Sequence, residues 1–219
     1  MRILIACEES DEVRSRFEKL GFDAWSCDLQ SNRSETKKHY QGSVFDIIND
    51  GWDAMIAFPP CTHLAVSGAA WFEQKRKDGR QQEGIDFFMQ MVNAPIKHIA
   101  IENPIGIMSK IYMRPTQIIQ PYYFGDEAKK STCLWLKNLP LLYHNGKPNL
   151  FDSEITHVGQ GEFFEWVDGK TGKTKKMPLW YAEAFKLKPE QRSKVRSKTF
   201  PGIAEAMANQ WGNYLNNIK

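Results

Sequence analysis

The sequence predicts an α/β domain, a largely parallel sheet wrapped by helices, with a small polar appendage before a last helix. Three observations carry this. Through the first two thirds of the chain, short apolar runs alternate with stretches of helical periodicity, the order that βαβ units impose. Beyond Leu142 that pattern gives way to polar loops and one hairpin-like stretch. The chain then closes on Ile203, Met207, Trp211 and Leu215 at i, i+4, i+8 and i+12, a stripe that faces a core. At 219 residues, with 42% hydrophobic and 25% charged side chains, the chain is long enough to bury a core and is neither low-complexity nor coiled coil.

Taken in order, Arg2 to Cys7 reads as a buried strand. Ser10 is placed to cap a helix with Val13, Phe17 and Leu20 on one face, stopped by Gly21. Asp23 to Cys27 is a second strand, Gly42 to Phe45 a weak third, Asp53 to Phe58 a fourth. Ile85, Phe88, Met89 and Val92 form a helical stripe that Pro95 ends, and His98 to Glu102 is a fifth strand. Gln117 to Phe124 and Thr132 to Leu136 read as a closing hairpin. Glu162 to Val167 and Lys173 to Met177 make a second hairpin turned at Asp168-Gly169, and Pro201 opens the last helix. The expected division is 1–142 for the main domain, 143–199 for the appendage and 200–219 for the returning helix.

No apolar run approaches the roughly 20 residues a bilayer requires, and Met1 to Ile5 leads into Ala6-Cys7-Glu8 without a signal-peptide core, so no membrane association and a cytoplasmic location are expected. The four cysteines, Cys7, Cys27, Cys61 and Cys133, form no CxxC pair, which suggests neither a zinc knuckle nor a disulfide framework. The net charge of +3 is uneven: residues 170–199 hold ten basic side chains against Glu183 and Glu190, a local excess of +8. Such an excess either attracts phosphates or is simply a solvated lysine-rich surface.

In open α/β sheets ligands sit outside the carboxyl ends of the strands. Those ends carry Cys7-Glu8-Glu9-Ser10, Cys27-Asp28-Leu29, Phe58-Pro59-Pro60-Cys61 and Ile101-Glu102-Asn103-Pro104. The diproline fixes the backbone direction ahead of Cys61 and presents its sulfur at the rim, whereas Cys7, Cys27 and Cys133 sit within apolar strands and read as small core residues. Cys61 with His63 also fits a metal pair or a Cys-His dyad, but no further ligands stand at suitable spacing, and no arginine closes a phosphatase loop. Glu102 is a strand-end acid suited to hydrogen-bonding a ring nitrogen, given a pKa raised by partial burial. Asp28 has the position that binds ribose hydroxyls. The stretch from Thr62 to Gly84 carries Trp71, Phe72, Lys75, Arg76, Lys77 and Arg80, types suited to stacking and phosphate contact, or to a solvated charged loop.

Phe58-Pro59-Pro60-Cys61, Val66-Ser67-Gly68 and Ile101-Glu102-Asn103-Pro104, in that order on successive strands, resemble the cytosine-C5 DNA methyltransferase family, its short phage-type members most closely. Phe124-Gly125 with Lys129-Lys130-Ser131-Thr132 resembles the family's aromatic-glycine turn before a Gln-Arg-x-Arg strand, and Pro201 to Trp211 resembles its returning helix. The resemblance implies a Rossmann-like class I methyltransferase sheet with helices on both faces and a recognition appendage. It implies S-adenosylmethionine as cofactor, no metal, and DNA as partner, with Cys61 adding to C6 of cytosine, Glu102 bonding the ring edge, and Asn103 and Lys130 assisting. For the cofactor it points to Glu8, Glu9, Ser10, Asp28, Phe45 and Pro59, with the helix N-terminus at Ser10 receiving the cofactor carboxylate. The chain departs from the family at its first loop, which has no glycine where Phe-x-Gly-x-Gly is usual, at Ser43, where an acid is usual, and at the Gln-Arg-x-Arg positions, where Lys130 alone is expected to keep a positive charge near the base. The rival readings are the same chemistry on a free pyrimidine nucleotide, favoured by the small appendage, and a nucleic-acid-binding relative without catalysis, favoured by the altered first loop.

Overall fold

The computed structural model describes residues 1–147 and 154–218; residues 148–153 of the expected appendage and the last residue of the expected closing helix lie outside the described residues. Contacts divide the chain into two compact units, one of Met1–Ile119, Ser131–Leu142 and Glu205–Lys219, the other of Gln120–Lys130 and Tyr143–Ala204.

The first unit is built on a seven-stranded sheet. Its strands are β1 (Arg2–Ala6), β2 (Asp23–Asp28), β3 (His39–Gln41), β4 (Ala54–Ala57), β5 (His98–Pro104), β6 (Gln117–Ile119) and β7 (Thr132–Lys137). The order across the sheet is β3-β2-β1-β4-β5-β7-β6. The first five strands are parallel, whereas β7 runs antiparallel to both β5 and β6. Because side chains alternate along a strand, register decides which residues share a face. Leu4, Met55 and Ile99 lie abreast, as do Ala6, Ala57 and Ile101, and this face belongs to a core with Phe88 and Met91 from a helix at Arg80–Val92. Ile3, Ile5, Ile56 and Ala100 point to the opposite face and are equally buried.

The helices of this unit are α1 (Arg14–Lys19), α2 (Phe72–Lys77), α3 (Arg80–Val92) and α4 (Met108–Ile111). The second unit holds a hairpin of β8 (Phe163–Val167) and β9 (Thr174–Pro178), then α5 (Leu179–Ala184) and α6 (Pro189–Ser197). The last helical run is α7 (Pro201–Ala206), a π-helical turn at Met207–Trp211 and α8 (Gly212–Asn217). Ile203, Met207, Trp211 and Leu215 are buried along it, as their spacing predicts.

Four local expectations are corrected. The third strand is His39–Gln41, not Gly42 to Phe45: the Ser43 hydroxyl accepts the Phe45 amide at 3.3 Å and turns Val44–Asp46 into a 3-10 helix, a side-chain bond that competes with extension. Of Gln117 to Phe124 only the first three residues are strand, because Pro121 starts a 3-10 turn closed by Gly125 at φ 91°. The second hairpin turns through a longer loop, in which Asp168 accepts the amides of Lys170 and Thr171 and its own amide donates to Lys173. Gln120–Lys130, placed by the sequence in the main domain, clusters with the second unit. There the Tyr122 carbonyl accepts the Val158 amide, Tyr123 stacks on His144 and His157, and Asp126 accepts the Gly202 amide.

Candidate active site

The site begins where β4 and β5 leave the sheet. Ala57 lies opposite Ile101, so the residues that follow, Phe58 and Glu102, emerge side by side on the carboxyl edge. Phe58 is still tied to the sheet through its amide, which donates to the Ala6 carbonyl at 2.9 Å. Neither proline beyond it can donate a backbone hydrogen bond, and the chain is caught instead from β5: Asn103, 2% exposed, donates from Nδ2 to the Pro59 carbonyl at 2.9 Å. The Glu-Asn pair therefore divides its labour. Asn103 braces the diproline that aims Cys61, and Glu102, half-buried beside it, faces the other way along the alternating strand.

Beyond Cys61 the chain turns at once, with the Leu64 and Ala65 amides donating to the Cys61 carbonyl at 3.0 and 2.9 Å. It then zips against the segment that follows Glu102. Val66 donates to Ile105 and Ile107 to Leu64, both at 3.0 Å, and Ala65 bridges Gly106. A side chain at Gly106 would bring a Cβ within 2.5 Å of the Leu64 carbonyl oxygen, so this approach requires glycine. The segments that follow Cys61 and Glu102 are thus fastened to each other.

Cys61 is half-buried, as Cys7 is, whereas Cys27 and Cys133 are buried. Burial, aided by Asp28, drives the Cys7 thiol well above its ordinary value, and burial pushes Cys27 up to about 12 and Cys133 up to about 11. For Cys133 the second cause is the charge of Glu102 on the neighbouring strand β5. Among the described residues no group of three or more His, Cys, Asp or Glu side chains is placed to hold a metal ion, and no helix is long and apolar enough to cross a membrane.

The expected cofactor residues follow the ends of the adjacent parallel strands. Cys7 takes a left-handed conformation, φ 59°, one that disfavours side-chain-bearing residues. The first loop thus makes a glycine-like turn without glycine. Glu8 then folds back into the protein. It is 4% exposed and accepts the Val13 amide at 2.7 Å and the Arg14 amide at 3.1 Å, the ends that open α1. This corrects two expectations. Ser10 does not cap α1: its hydroxyl accepts the Glu12 amide at 3.4 Å and donates to Glu8 Oε1 at 3.3 Å, and the anion-attracting helix start is filled by the chain's own carboxylate rather than left for a ligand's. Burial holds the Glu8 carboxyl up at about 7 against the opposing effect of those amides.

Glu9 is half-buried and paired with Arg33. Asp28 ends β2, half-buried, its Oδ1 accepting the Gln30 amide at 2.8 Å, and its carboxyl is raised by burial first and by Glu9 as well. Phe45 lies half-buried in the turn after β3, edge-on to Phe87 at 4.8 Å. Lys130 belongs to the second unit, where its ammonium donates to the Lys198 carbonyl at 3.0 Å. The edge of the sheet therefore gathers Cys61, Glu102, Asn103 and Pro59 in one cluster, with Glu8, Glu9, Asp28 and Phe45 along the neighbouring strand ends.

The segment from Thr62 to Gly84 is folded rather than loose. Trp71 and Arg76 are exposed, Lys77 pairs with Glu73 and Arg80 with Asp78. Lys75, expected to meet phosphates, is buried and donates to the Thr62 carbonyl at 2.7 Å.

No family model matches the chain, and no curated protein does. Among solved structures it is similar to a prophage-encoded protein of E. coli whose assignment as a DNA modification methyltransferase is itself provisional: TM-score 0.57, 14% identity, with 99% of each chain covered. At that identity the likeness establishes the fold. The protein has a Rossmann-like fold, its helices flanking a mostly parallel sheet whose seventh strand is reversed.

Proposed function

We propose that the protein is a DNA methyltransferase that uses S-adenosylmethionine to methylate cytosine at C5 through a covalent adduct with Cys61. The observation that carries this reading is the bond from Asn103 to the Pro59 carbonyl. It joins the Pro-Pro-Cys and Glu-Asn motifs into one rigid group at the ligand-binding edge of the sheet, a placement with no purpose for a core cysteine. In this reading the first unit is catalytic and the second recognises DNA.

The chain's own residues act as follows. The Cys61 thiolate forms a bond from Sγ to C6 of the base, and the electron pair displaced toward the ring makes C5 nucleophilic. Glu102 shares a proton with N3 and accepts from the exocyclic amine, dispersing the charge that develops. S-adenosylmethionine, when bound, supplies an electrophilic methyl group. Transfer of the C5 proton to water then returns an electron pair to the ring, breaks the Sγ–C6 bond and releases Cys61 as thiolate. In duplex DNA the base must first leave the stack. The rim fits the cofactor's chemistry: the half-buried Asp28 ends β2 where ribose hydroxyls are to be held, and Phe45 offers an aromatic ring at the next strand end. DNA as substrate is supported by exposed Lys170, Lys173 and Lys176 on and before β9 and Lys194 on α6.

The test is transfer of labelled methyl groups from S-adenosylmethionine to mixed-sequence DNA, followed by nucleoside analysis. The reading expects 5-methylcytosine; label in N4-methylcytosine or N6-methyladenine contradicts it. The Glu8 carboxylate in the α1 start and the glycine-free turn at Cys7 favour a second reading, a relative that binds DNA without methylating it. Calorimetry with S-adenosylhomocysteine separates the two: the enzyme binds it at about micromolar Kd, near −8 kcal/mol, and the pure binder shows no heat.

A further inference from the structure

Lys75 carries a buried charge that no step of this chemistry uses. A lysine is almost never buried unless something holds its ammonium. Here the holder is the backbone carbonyl of Thr62, 2.7 Å from Nζ, the residue directly after Cys61. Two features build the site. Gly68 leaves room for the ammonium, since a Cβ there would stand 3.2 Å from Nζ, and the Phe72 ring lies 6.0 Å from the charge. The neighbouring carbonyls are also taken: that of Cys61 by the Leu64 and Ala65 amides, that of His63 by Gln81 Nε2 at 3.4 Å. Three successive peptide groups behind the sulfur are thereby fixed.

A neutral donor would fix the loop equally well, so the charge itself asks for a reason. A positive charge close to a thiol favours its thiolate, the form that attacks. The field of Lys75 does reach this loop: His63, two residues past Cys61, is held below the ordinary imidazole value first by burial and then by Lys75. The other charges around the loop are Arg80 and Asp78 at the α2–α3 turn, which pair with each other, Glu83 on α3, and Glu102 on β5.

We propose that Lys75 is a positioning residue for Cys61, its buried ammonium locking the loop that presents the sulfur and its charge favouring the thiolate. This rests on Cys61 being the nucleophile, and the test is chosen to need neither cofactor nor DNA. The intact protein is alkylated with iodoacetamide across a pH series and the modification of Cys61 is followed by peptide mass spectrometry, in wild type, Lys75→Met and Lys75→Arg. The midpoint should move to higher pH in Lys75→Met and return toward wild type in Lys75→Arg. In methyl transfer, Lys75→Met should lose about 10²-fold in kcat, the scale of a misplaced reacting group, with KM little changed. An unmoved midpoint in Lys75→Met, or a loss confined to KM, overturns the proposal. Should Lys75→Met not fold, Gly68→Ala decides, because its added methyl crowds Nζ: slower Cys61 alkylation supports the proposal and an unchanged rate rejects it. If the protein transfers no methyl group at all, the function proposed above fails while the alkylation midpoint still judges Lys75.

Discussion

Cys61 and Glu102 are the side chains on which the proposed chemistry turns, and each makes a separable prediction. Cys61→Ser should abolish methyl transfer while leaving circular dichroism unchanged, because the hydroxyl is close in size but hardly ionised near neutral pH; retained activity would remove the covalent step. Glu102→Gln keeps the shape and one hydrogen bond but cannot share a proton with N3, so kcat should fall by roughly 10²-fold to 10⁴-fold with substrate affinity less affected. A loss confined to affinity would make Glu102 a positioning group only. Both residues were legible in the sequence because they stand at strand ends behind or before proline, which fixes the direction in which the chain leaves the sheet. Asn103 was legible only by its company. Nothing in the sequence says that its amide reaches across to Pro59, 44 residues away, since that bond exists only once β4 and β5 are paired.

At the scale of elements, the start of α1 and the fastening of the β4 exit to β5 carry the predictions. Glu8 has a folded-state carboxyl near 7 against an ordinary value of 4.5, so the folded protein holds that proton to higher pH than the unfolded chain does. Its contribution to stability is therefore greatest below about 4.5 and declines as pH rises toward 7. Glu8→Gln should flatten the Tm profile across that window, read by scanning calorimetry; an identical slope in the variant would show that other groups produce it. Asn103→Ala should cost about 1–3 kcal/mol by leaving the Pro59 carbonyl unpaired in the interior, measured by urea unfolding, and should lower kcat in the same variant. The sequence pattern located α3 and the strongly apolar strands well, for their periodicity is the packing itself. It misplaced β3 because His39, Tyr40 and Gln41 carry no apolar signal and are drawn into the sheet by pairing with β2, and it chose Ser10 over Glu8 as the cap because a glutamate six residues upstream of the helix becomes a cap only after the left-handed turn at Cys7 sends it back.

For the whole molecule, the division into a sheet-bearing unit and a basic second unit predicts how binding responds to salt. If the second unit holds DNA, the log-log slope of affinity against salt should be steep, with about 0.9 for each phosphate neutralised on duplex. Lys173 and Lys194 are exposed, whereas Lys175 is paired with Asp168, Lys176 lies 4.9 Å over the Phe163 ring and Arg196 4.7 Å over the Tyr181 ring, so replacing Lys173 and Lys194 by glutamine should flatten the slope most. Cys61→Ser should keep the wild-type slope. The alternation of strands and helices announced the sheet from the sequence, and the charge count announced the basic segment; the assignment of Gln120–Lys130 to the second unit was hidden, because it depends on ring stacking between Tyr123 and histidines from a distant stretch of chain.

The account stands or falls on the bond between Cys61 and the base. DNA carrying 5-fluorocytosine in place of cytosine, incubated with the protein and S-adenosylmethionine, should arrest the reaction after methyl transfer, since fluorine cannot leave C5 as a proton does. Intact-mass spectrometry should then show protein and DNA joined, with the adduct mapped to the Cys61 peptide and absent from Cys61→Ser. Methylation of ordinary DNA with no trapped complex on the fluorinated DNA, or an adduct on any other residue, would contradict it.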